Sequence, residues 1–231
     1  MLIYSINSVT SSTLGARSIR RILSLAFLRT IMKVHANKRA IRALGVAESF
    51  RRRDRHSVLA GVVIRSDLVI DGFAFGETTV EGDDATREIL RLYGRLRRDD
   101  VNLLVLSGCI ISLYNIVDVD ALASKIGVPV IALTYRESAG IEGAIRHHFH
   151  DGEEKVAQYM KLGPRVPIAL RTGYRVFARL SGISEADAGR VLDSFTLQGA
   201  VPEPVRVAKL LAHARRAGAQ PVARMSATSS T

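Results

Sequence analysis

The chain is predicted to form an α/β domain on a mixed sheet, because three strand-like runs precede alternating helices and strands in its central part. The predicted order is βββαβαβ, with further helices towards the C-terminus. A three-strand antiparallel meander followed by right-handed parallel crossovers is the layout of an RNase H-like fold. We therefore expect helices on both faces of the sheet and carboxylates that meet near its centre.

Apolar runs and turn residues place the strands along the chain. The strand-like runs are Ile41–Ser49, Ser57–Ile64, Leu68–Val80, Val101–Leu106 and Pro129–Tyr135, with a further short strand at Gly173–Ala178. Asp71-Gly72 is a pair typical of tight hairpins, so we expect it to join the second and third strands and Asp71 to be structural.

Helix start and stop signals place the remaining elements. The predicted helices are Asp84–Arg98, Asp118–Ile126, Glu137–Phe149, Glu153–Leu162, a helix from the N-cap Ser184 to about Phe195, and Val205–Arg216. Gly127 with Pro129 marks a helix stop before a strand. Pro202 and Pro204 mark the entry to the last helix.

One domain is expected over residues 38–217, and both ends of the chain differ from it. The first 31 residues are rich in Ser, Thr and Arg and hold no acidic residue. They resemble a transit peptide, but a disordered arm or an upstream artefact before a start at Met32 is the preferred interpretation for residues 1–37. The Ala-, Ser- and Thr-rich tail over residues 218–231 is expected to be disordered.

The composition favours a basic protein of a reducing compartment. Hydrophobic residues make up 47% and charged residues 24%, with a net charge of +11 and a pI near 10.4. No run of apolar residues is long enough to span a membrane, and the single Cys109 cannot form an internal disulfide, so a cytoplasmic location is expected. The excess charge favours polyanions, above all nucleic acid, although a solvated basic face is the alternative.

Three acidic residues are candidates for chemistry. Glu48 ends the first strand, where a side chain points into the crevice at the carboxyl edge of an α/β sheet; an exposed strand-end Glu is the alternative. Asp84 starts the first long helix, as an N-cap or as one of two carboxylates that hold Mg²⁺. Asp118 is expected to cap the next helix and to have a second role near the metal.

The other motifs give weaker indications of a catalytic or metal-binding site. His147, His148 and His150 follow one another too closely to form a metal trio, so they are expected to stabilise a helix C-terminus. The sequence contains no phosphate-binding glycine loop, zinc-ligand spacing or Ser/His/Asp constellation. Ser107-Gly108 lacks the surroundings of a nucleophilic serine.

Several motifs together are similar to an archaeal family of deoxyuridine endonucleases that is related to endonuclease V. They are Leu44-Gly45-Val46-Ala47-Glu48-Ser49-Phe50, Val80-Glu81-Gly82-Asp83-Asp84-Ala85-Thr86, Asn115-Ile116-Val117-Asp118, Ser194-Phe195-Thr196-Leu197-Gln198-Gly199 and Val201-Pro202-Glu203-Pro204. The resemblance covers residues 38–216. It implies an endonuclease V-like form of the RNase H-like fold, with Mg²⁺- or Mn²⁺-dependent cutting of DNA near deaminated bases as part of DNA repair.

The chain departs from that family at two positions. Many relatives carry aspartates at the positions of Ala47 and Glu48, and an Asp-Gly pair where this chain has Ser107-Gly108. Glu48 thus keeps a carboxylate in a longer form, and the site resembles an altered branch.

Two functions remain open at this point. The first is a metal-dependent endonuclease in which Glu48 and Asp84 bind the metal and Asp118 assists. The loop residues Arg51, Arg52 and Arg53 would then hold the backbone of DNA, with RNA as the alternative partner. Phe50 would wedge beside an extruded base, or pack against the protein. The second is a non-catalytic nucleic-acid-binding protein of the same fold. A protein-interaction module is the weakest alternative.

Overall fold

A seven-stranded mixed sheet forms the centre of the fold. The computed structural model describes residues 41–138 and 140–218, so the expectations for residues 1–37 and for the tail beyond residue 218 lie outside the described residues. The strands are β1 Arg42–Ser49, β2 His56–Arg65, β3 Ile70–Thr79, β4 Leu103–Leu106, β5 Ile110–Ile111, β6 Asn115–Ile116, β7 Val130–Thr134, β8 Val166–Ala169 and β9 Arg175–Ser181. Six of them were foreseen; β5, β6 and β8 were not.

The helices follow the predicted order with small changes at their ends. They are α1 Ala85–Leu96, α2 Val119–Ile126, α3 Glu142–His148, α4 Gly152–Lys161, α5 Glu185–Phe195 and α6 Glu203–Gly218. The predicted helix over Glu137–Phe149 begins later than expected, because Gly140 adopts a φ of +121° that no helix accepts. No helix in the described part is long and apolar enough to cross a membrane.

The topology confirms the predicted mixed fold. Strands lie in the order β3-β2-β1-β4-β7-β9-β8, and β5 and β6 form a separate hairpin. The first three strands pair antiparallel, β1 pairs parallel to β4, and β4 pairs parallel to β7. The carboxyl ends of β1, β4 and β7 therefore meet at one edge of the sheet.

The β2–β3 connection corrects the predicted hairpin. The turn lies at Ser66-Asp67, where the amide of Leu68 donates to the carbonyl of Arg65 at 2.8 Å. Leu68 takes a left-handed φ of 67°, and a bulge at Val63/Ile64 shifts the register. Asp71 lies inside β3 instead, where its carboxylate accepts from the guanidinium of Arg42 at 2.5 Å. The structural role expected of Asp71 therefore comes from ion pairing and not from a turn.

Apolar side chains on the two sheet faces pack under different helices. One core layer combines alternate residues of β1, among them Ala43 and Ala47, with α5 and α6. The other combines the intervening residues, Leu44 and Val46, with α1 and α2. At Gly45 the backbone of α6 approaches β1 so closely that a built Cβ would lie 2.1 Å from the carbonyl carbon of Pro204.

Candidate functional site

Glu48 lies at the carboxyl end of β1 on the α1 side of the sheet. Its direct partner across the β1–β2 ladder is Leu59, a member of the α1–α2 core layer. One carboxylate oxygen, Oε2, accepts from the Ser57 hydroxyl at 3.0 Å and from the Ser112 amide at 2.7 Å, and also from the Ser112 hydroxyl. Within residues 41–138 and 140–218, no donor is hydrogen-bonded to the other oxygen, Oε1.

The Glu48 carboxylate stabilises a strained turn between β5 and β6. Ser112, Leu113 and Tyr114 all adopt left-handed backbone angles, with φ of 46°, 54° and 59°. Each such residue costs roughly 1–2 kcal/mol relative to ordinary backbone. Glu48 accepts from the amide at the start of the turn, and the ammonium of Lys155 donates to the Tyr114 carbonyl at its end, at 3.2 Å. Strain of this kind persists where surrounding groups enforce it, and such places are often functional.

Asp84 lies at the N-cap position of α1, but its side chain does not cap the helix. The carboxylate accepts instead from the Thr78 hydroxyl at 2.6 Å, the Thr79 hydroxyl at 2.7 Å and the Thr79 amide at 3.1 Å. A fourth donor, the side-chain amide of Asn115, lies 2.8 Å away. Both oxygens are thus hydrogen-bonded, which corrects the expectation that Asp84 caps α1.

Burial and hydrogen bonding act on the Asp84 carboxyl in opposite directions. Desolvation raises its pKa, but the hydrogen bonds from Thr78, Thr79 and Asn115 outweigh it and hold the pKa at about 2. The group is therefore ionised at neutral pH. Neutral donors already stabilise its charge.

Asn115 performs the capping that Asp84 does not. Its side-chain oxygen accepts from the Ala85 amide at 3.0 Å, at the start of α1, while its amide nitrogen donates to Asp84. Asn115 is fully buried. The only sequence signal for this role was an Asn inside a shared motif, 30 residues away from the helix that it caps.

Asp118 caps α2 as predicted. Its carboxylate accepts from the Ala121 amide at 2.9 Å, and the side chain is exposed. No hydrogen bond in the described part of the chain joins it to Glu48 or Asp84. Glu48 accepts from Ser57 and Asp84 accepts from Thr78, and these two donors are direct β2–β3 partners. Asp118 lies outside that network.

The β1–β2 loop brings positive charge to the end of β1. Arg51, Arg52 and Arg53 are exposed, and Asp54 fixes the turn by accepting from the Arg51 amide at 2.6 Å. Phe50 is half-buried at the start of the loop. The predicted phosphate-contacting residues therefore follow Glu48 directly.

Ala47 faces the opposite side of the sheet from Glu48. It belongs to the α5–α6 core layer and is 2% exposed. Ser107 extends the parallel β1–β4 pairing, because its amide donates to the Val46 carbonyl at 3.0 Å. β4 ends at Leu106, so Ser107 follows the strand, and it lines a small cavity together with both Ala47 and Glu48.

A cation occupies the Ala47 side at the end of β1. The Ser49 hydroxyl accepts from the guanidinium of Arg216, on α6, at 2.9 Å. One nitrogen of this guanidinium, Nη1, is buried and has no hydrogen-bond partner within residues 41–138 and 140–218. The face on which the resemblance places the carboxylate of position 47 thus presents a guanidinium at this point.

The residues predicted to hold Mg²⁺ do not form a ready metal site. A hard divalent cation needs oxygen lone pairs. The lone pairs of Asp84 accept hydrogen bonds from four protein donors, and one of these donors, the backbone amide of Thr79, is fixed in the chain and cannot rotate away as a hydroxyl can. Among the described residues, no group of three or more His, Cys, Asp or Glu side chains is placed to hold a metal ion. Of these two residues, only Glu48 retains an oxygen to which no described residue donates. The Glu48–Asp84 pair therefore does not fit the ion in this arrangement.

The fold is of the endonuclease V-like class. A crystal structure of a protein of unknown function from Archaeoglobus fulgidus matches with a TM-score of 0.65 at 23% identity, over 76% of this chain and 98% of that one. Ciona intestinalis endonuclease V, solved with a 24mer DNA containing an inosine followed by a ribo-adenosine, matches with a TM-score of 0.56 at 12% identity, over 88% and 99% of the two chains. These likenesses establish the fold.

The chain belongs to the Endonuclease dU family. The model of that family matches residues 39–215. A UPF0215 protein of Pyrobaculum calidifontis is 39% identical over 170 residues, which cover 73% of this chain and 93% of that protein. The family inferred from the sequence motifs is thereby confirmed.

Proposed function

We propose that this chain binds DNA at the carboxyl end of β1, and that its site suits binding better than metal-dependent cleavage. The observation that carries the proposal is the state of Asp84, whose two oxygens are bound by four protein donors. The lack of a carboxylate at Ala47 and Ser107 agrees with it. The fold would then act as a nucleic-acid-binding member of a nuclease family.

Charge and family support DNA as the partner. The exposed arginines of the β1–β2 loop begin three residues after Glu48, and the chain carries a net charge of +11. Contacts between such side chains and phosphates release counterions and make affinity depend steeply on salt. Membership of the Endonuclease dU family and the DNA complex of a structural neighbour point to the same partner.

A second candidate is a Mg²⁺- or Mn²⁺-dependent endonuclease that acts on deaminated, deoxyuridine-type DNA in repair. The family's description favours it, as does the Glu48 oxygen that receives no hydrogen bond from the described residues. In this function Glu48 would hold the metal, and Asp84 would have to exchange its protein donors for it.

Binding is tested first, with the full chain and labelled DNA and RNA strands that contain uracil or hypoxanthine. We expect DNA binding in EDTA that weakens with salt. Replacing Arg52 and Arg53 by alanine should lower the slope of log K against log salt by about 2, because each lost phosphate contact removes about 0.9. The matched control replaces two exposed arginines outside the loop, Arg171 and Arg190, and should leave the slope unchanged. Equal slopes in both double variants would contradict the proposed interface.

Cleavage is tested on the same strands in Mg²⁺, Mn²⁺ and EDTA. Under the first proposal no product strand forms in any metal. Metal-dependent cutting that is lost in Glu48→Gln, with unchanged circular dichroism and DNA affinity, would instead establish the endonuclease. Preferential binding of RNA would overturn DNA as the partner.

A further inference from the structure

A cavity of about 590 Å³ lies beyond the carboxyl end of β7, away from the Glu48–Asp84 network. It is bounded by α4, β8, β9 and the residues Glu137, Ser138, Gly140 and Glu142, and shares no lining residue with that network. Its lining combines two guanidinium groups, two aromatic rings and two carboxylates, from Arg165, Arg179, Tyr159, Phe177, Glu137 and Glu142. Ligand pockets commonly have volumes of roughly 300–1,000 Å³.

Arg179 is a buried cation without an acidic partner. It is 7% exposed, and its guanidinium donates to the Gly163 carbonyl at 3.0 Å and to the Cys109 sulfur at 2.9 Å. The guanidinium carbon lies 5.2 Å from the ring centre of Tyr159. No carboxylate of residues 41–138 or 140–218 lies within ion-pair distance of it. A charge removed from water in this way is unfavourable unless a counter-charge accompanies it.

Cys109 does not supply that counter-charge. Burial raises the pKa of its thiol, and this outweighs the opposite effect of the nearby positive charges of Arg179 and Arg165. The thiol is therefore neutral at physiological pH.

Arg165 adds a second unpaired cation to the same region. Its guanidinium lies 5.9 Å from the ring centre of Phe177 and donates to the Ser138 carbonyl. It makes no ion pair with a carboxylate of the described residues. Arg165 and Arg179 line the same cavity, so both cations face the space that one ligand would occupy.

We propose that this cavity binds a nucleoside monophosphate, with the phosphate against Arg165 and Arg179 and the planar base against the aromatic side of the cavity. Guanidinium groups bind phosphate through paired charge-assisted hydrogen bonds. Glu137 and Glu142 disfavour a bare anion, but they can accept hydrogen bonds from a sugar hydroxyl or a base N–H. The nucleotide could be free or could be the phosphorylated end of a strand. This site does not depend on the interface proposed at the β1–β2 loop.

The test is calorimetric titration of the full chain with dUMP, dAMP, deoxyuridine and inorganic phosphate. We expect both monophosphates to bind, and deoxyuridine and phosphate alone to bind at least about tenfold more weakly. Arg165→Gln should weaken monophosphate binding by at least about tenfold. The matched control is Arg175→Gln, because Arg175 is an exposed arginine of the same strand, β9, as Arg179 and lies outside the cavity lining. Its affinity should be unchanged, and thermal unfolding should show both variants folded.

Two oligonucleotides, one with a 5′-phosphate and one with a 5′-hydroxyl, distinguish a free nucleotide from the phosphorylated end of a strand as the ligand. A phosphate-dependent gain in affinity that Arg165→Gln removes identifies a strand end, whereas monophosphate binding without such a gain identifies the free nucleotide. The proposal is overturned if deoxyuridine or phosphate binds as tightly as dUMP, if no monophosphate binds at about 1 mM, or if Arg165→Gln binds like the native chain. Such a failure would leave the salt-dependent binding of internal strand segments at the β1–β2 loop unaffected.

Discussion

Replacing Asp84 by alanine separates a structural carboxylate from a catalytic one. The Asp84 side chain is 15% exposed, and its pKa of about 2 lies well below the ordinary value of 3.8. That difference corresponds to roughly 2.5 kcal/mol of stabilisation of the folded protein at neutral pH. The alanine variant also leaves the buried Thr78 hydroxyl without its acceptor, an overlapping penalty of about 1–3 kcal/mol. The Asn115 amide keeps its hydrogen bond to the Thr79 carbonyl.

We therefore expect Asp84→Ala to lose about 3 kcal/mol of unfolding free energy. For a domain of this size, such a loss lowers the midpoint of thermal unfolding by roughly 6–12 °C. A residue that only held a metal would show little or no destabilisation of the metal-free protein. The stability of the variant in EDTA thus distinguishes the two roles.

The pH dependence of the stability is an independent test of the role of Asp84, because the lowered pKa predicts the direction in which the stability changes with pH. The unfolded carboxyl takes up its proton as the pH falls through 3.8, whereas the folded one does so only near 2. The unfolded state therefore binds more protons in this window, and the contribution of Asp84 to stability is lost between about pH 4 and pH 2. It is fully present above that window.

The assay is urea unfolding followed by circular dichroism, at pH 7 and at pH 2.5, in EDTA. The control is Asp99→Ala, since Asp99 is exposed and has no hydrogen bond to the described residues; it should change the unfolding free energy by less than about 0.5 kcal/mol. Asp84→Ala should show a smaller deficit at pH 2.5 than at pH 7. A deficit under about 0.5 kcal/mol at pH 7, or one equal at both pH values, would refute the structural role.

Three further substitutions test how the sheet and the first two helices are held. Gly45→Ala should destabilise the fold by about 3 kcal/mol or more, because its Cβ would lie 2.1 Å from the carbonyl carbon of Pro204. Gly94→Ala on α1 should stabilise the fold by up to about 1 kcal/mol, because its Cβ would have no described atom within 4 Å apart from its chain neighbours and the helix's own backbone. Similar thermal midpoints for these two variants would contradict the close approach of α6 to β1. Asp118→Ala should lose about 1 kcal/mol through the missing N-cap and leave DNA affinity unchanged; weakened DNA binding in a folded Asp118→Ala protein would give Asp118 a role beyond the cap.

Most of the fold was predictable because its signals are local. Apolar runs located the buried strands, and Ser184 located the start of α5, where its hydroxyl accepts from the Asp187 amide at 3.1 Å. The predicted position of the β2–β3 turn was wrong. Asp71-Gly72 is a pair typical of hairpin turns, but a bulge at Val63/Ile64 and the left-handed Leu68 set the actual register. β8 and the β5–β6 hairpin are short, and neither shows a run long enough to identify.

The candidate site was less predictable, because its contacts join distant segments. Sequence order placed Glu48 and Asp84 at element ends, and that placement is correct. The partners of Asp84 come from the end of β3 and from Asn115, which is 31 residues further along the chain. Neither a charge pattern nor a spacing rule identifies which of two adjacent aspartates turns back towards the preceding strand. That both oxygens of Asp84 accept hydrogen bonds from protein donors is therefore visible only in the three-dimensional structure.

The pleat of β1 explains why a glutamate at position 48 does not substitute for an acid at position 47. Successive side chains of a strand point to opposite faces. The Glu48 side chain faces the α1 side, so its extra methylene extends the carboxylate on that side and not towards the face of position 47. On that side it accepts from Ser112 and holds a turn of three left-handed residues against β1. The α6 side, which Ala47 faces, presents Arg216 bound to Ser49. The end of β1 therefore combines a strained, carboxylate-held turn on one face with a cation on the other, an arrangement that fits contact with a phosphate backbone better than coordination of a metal ion between two acids.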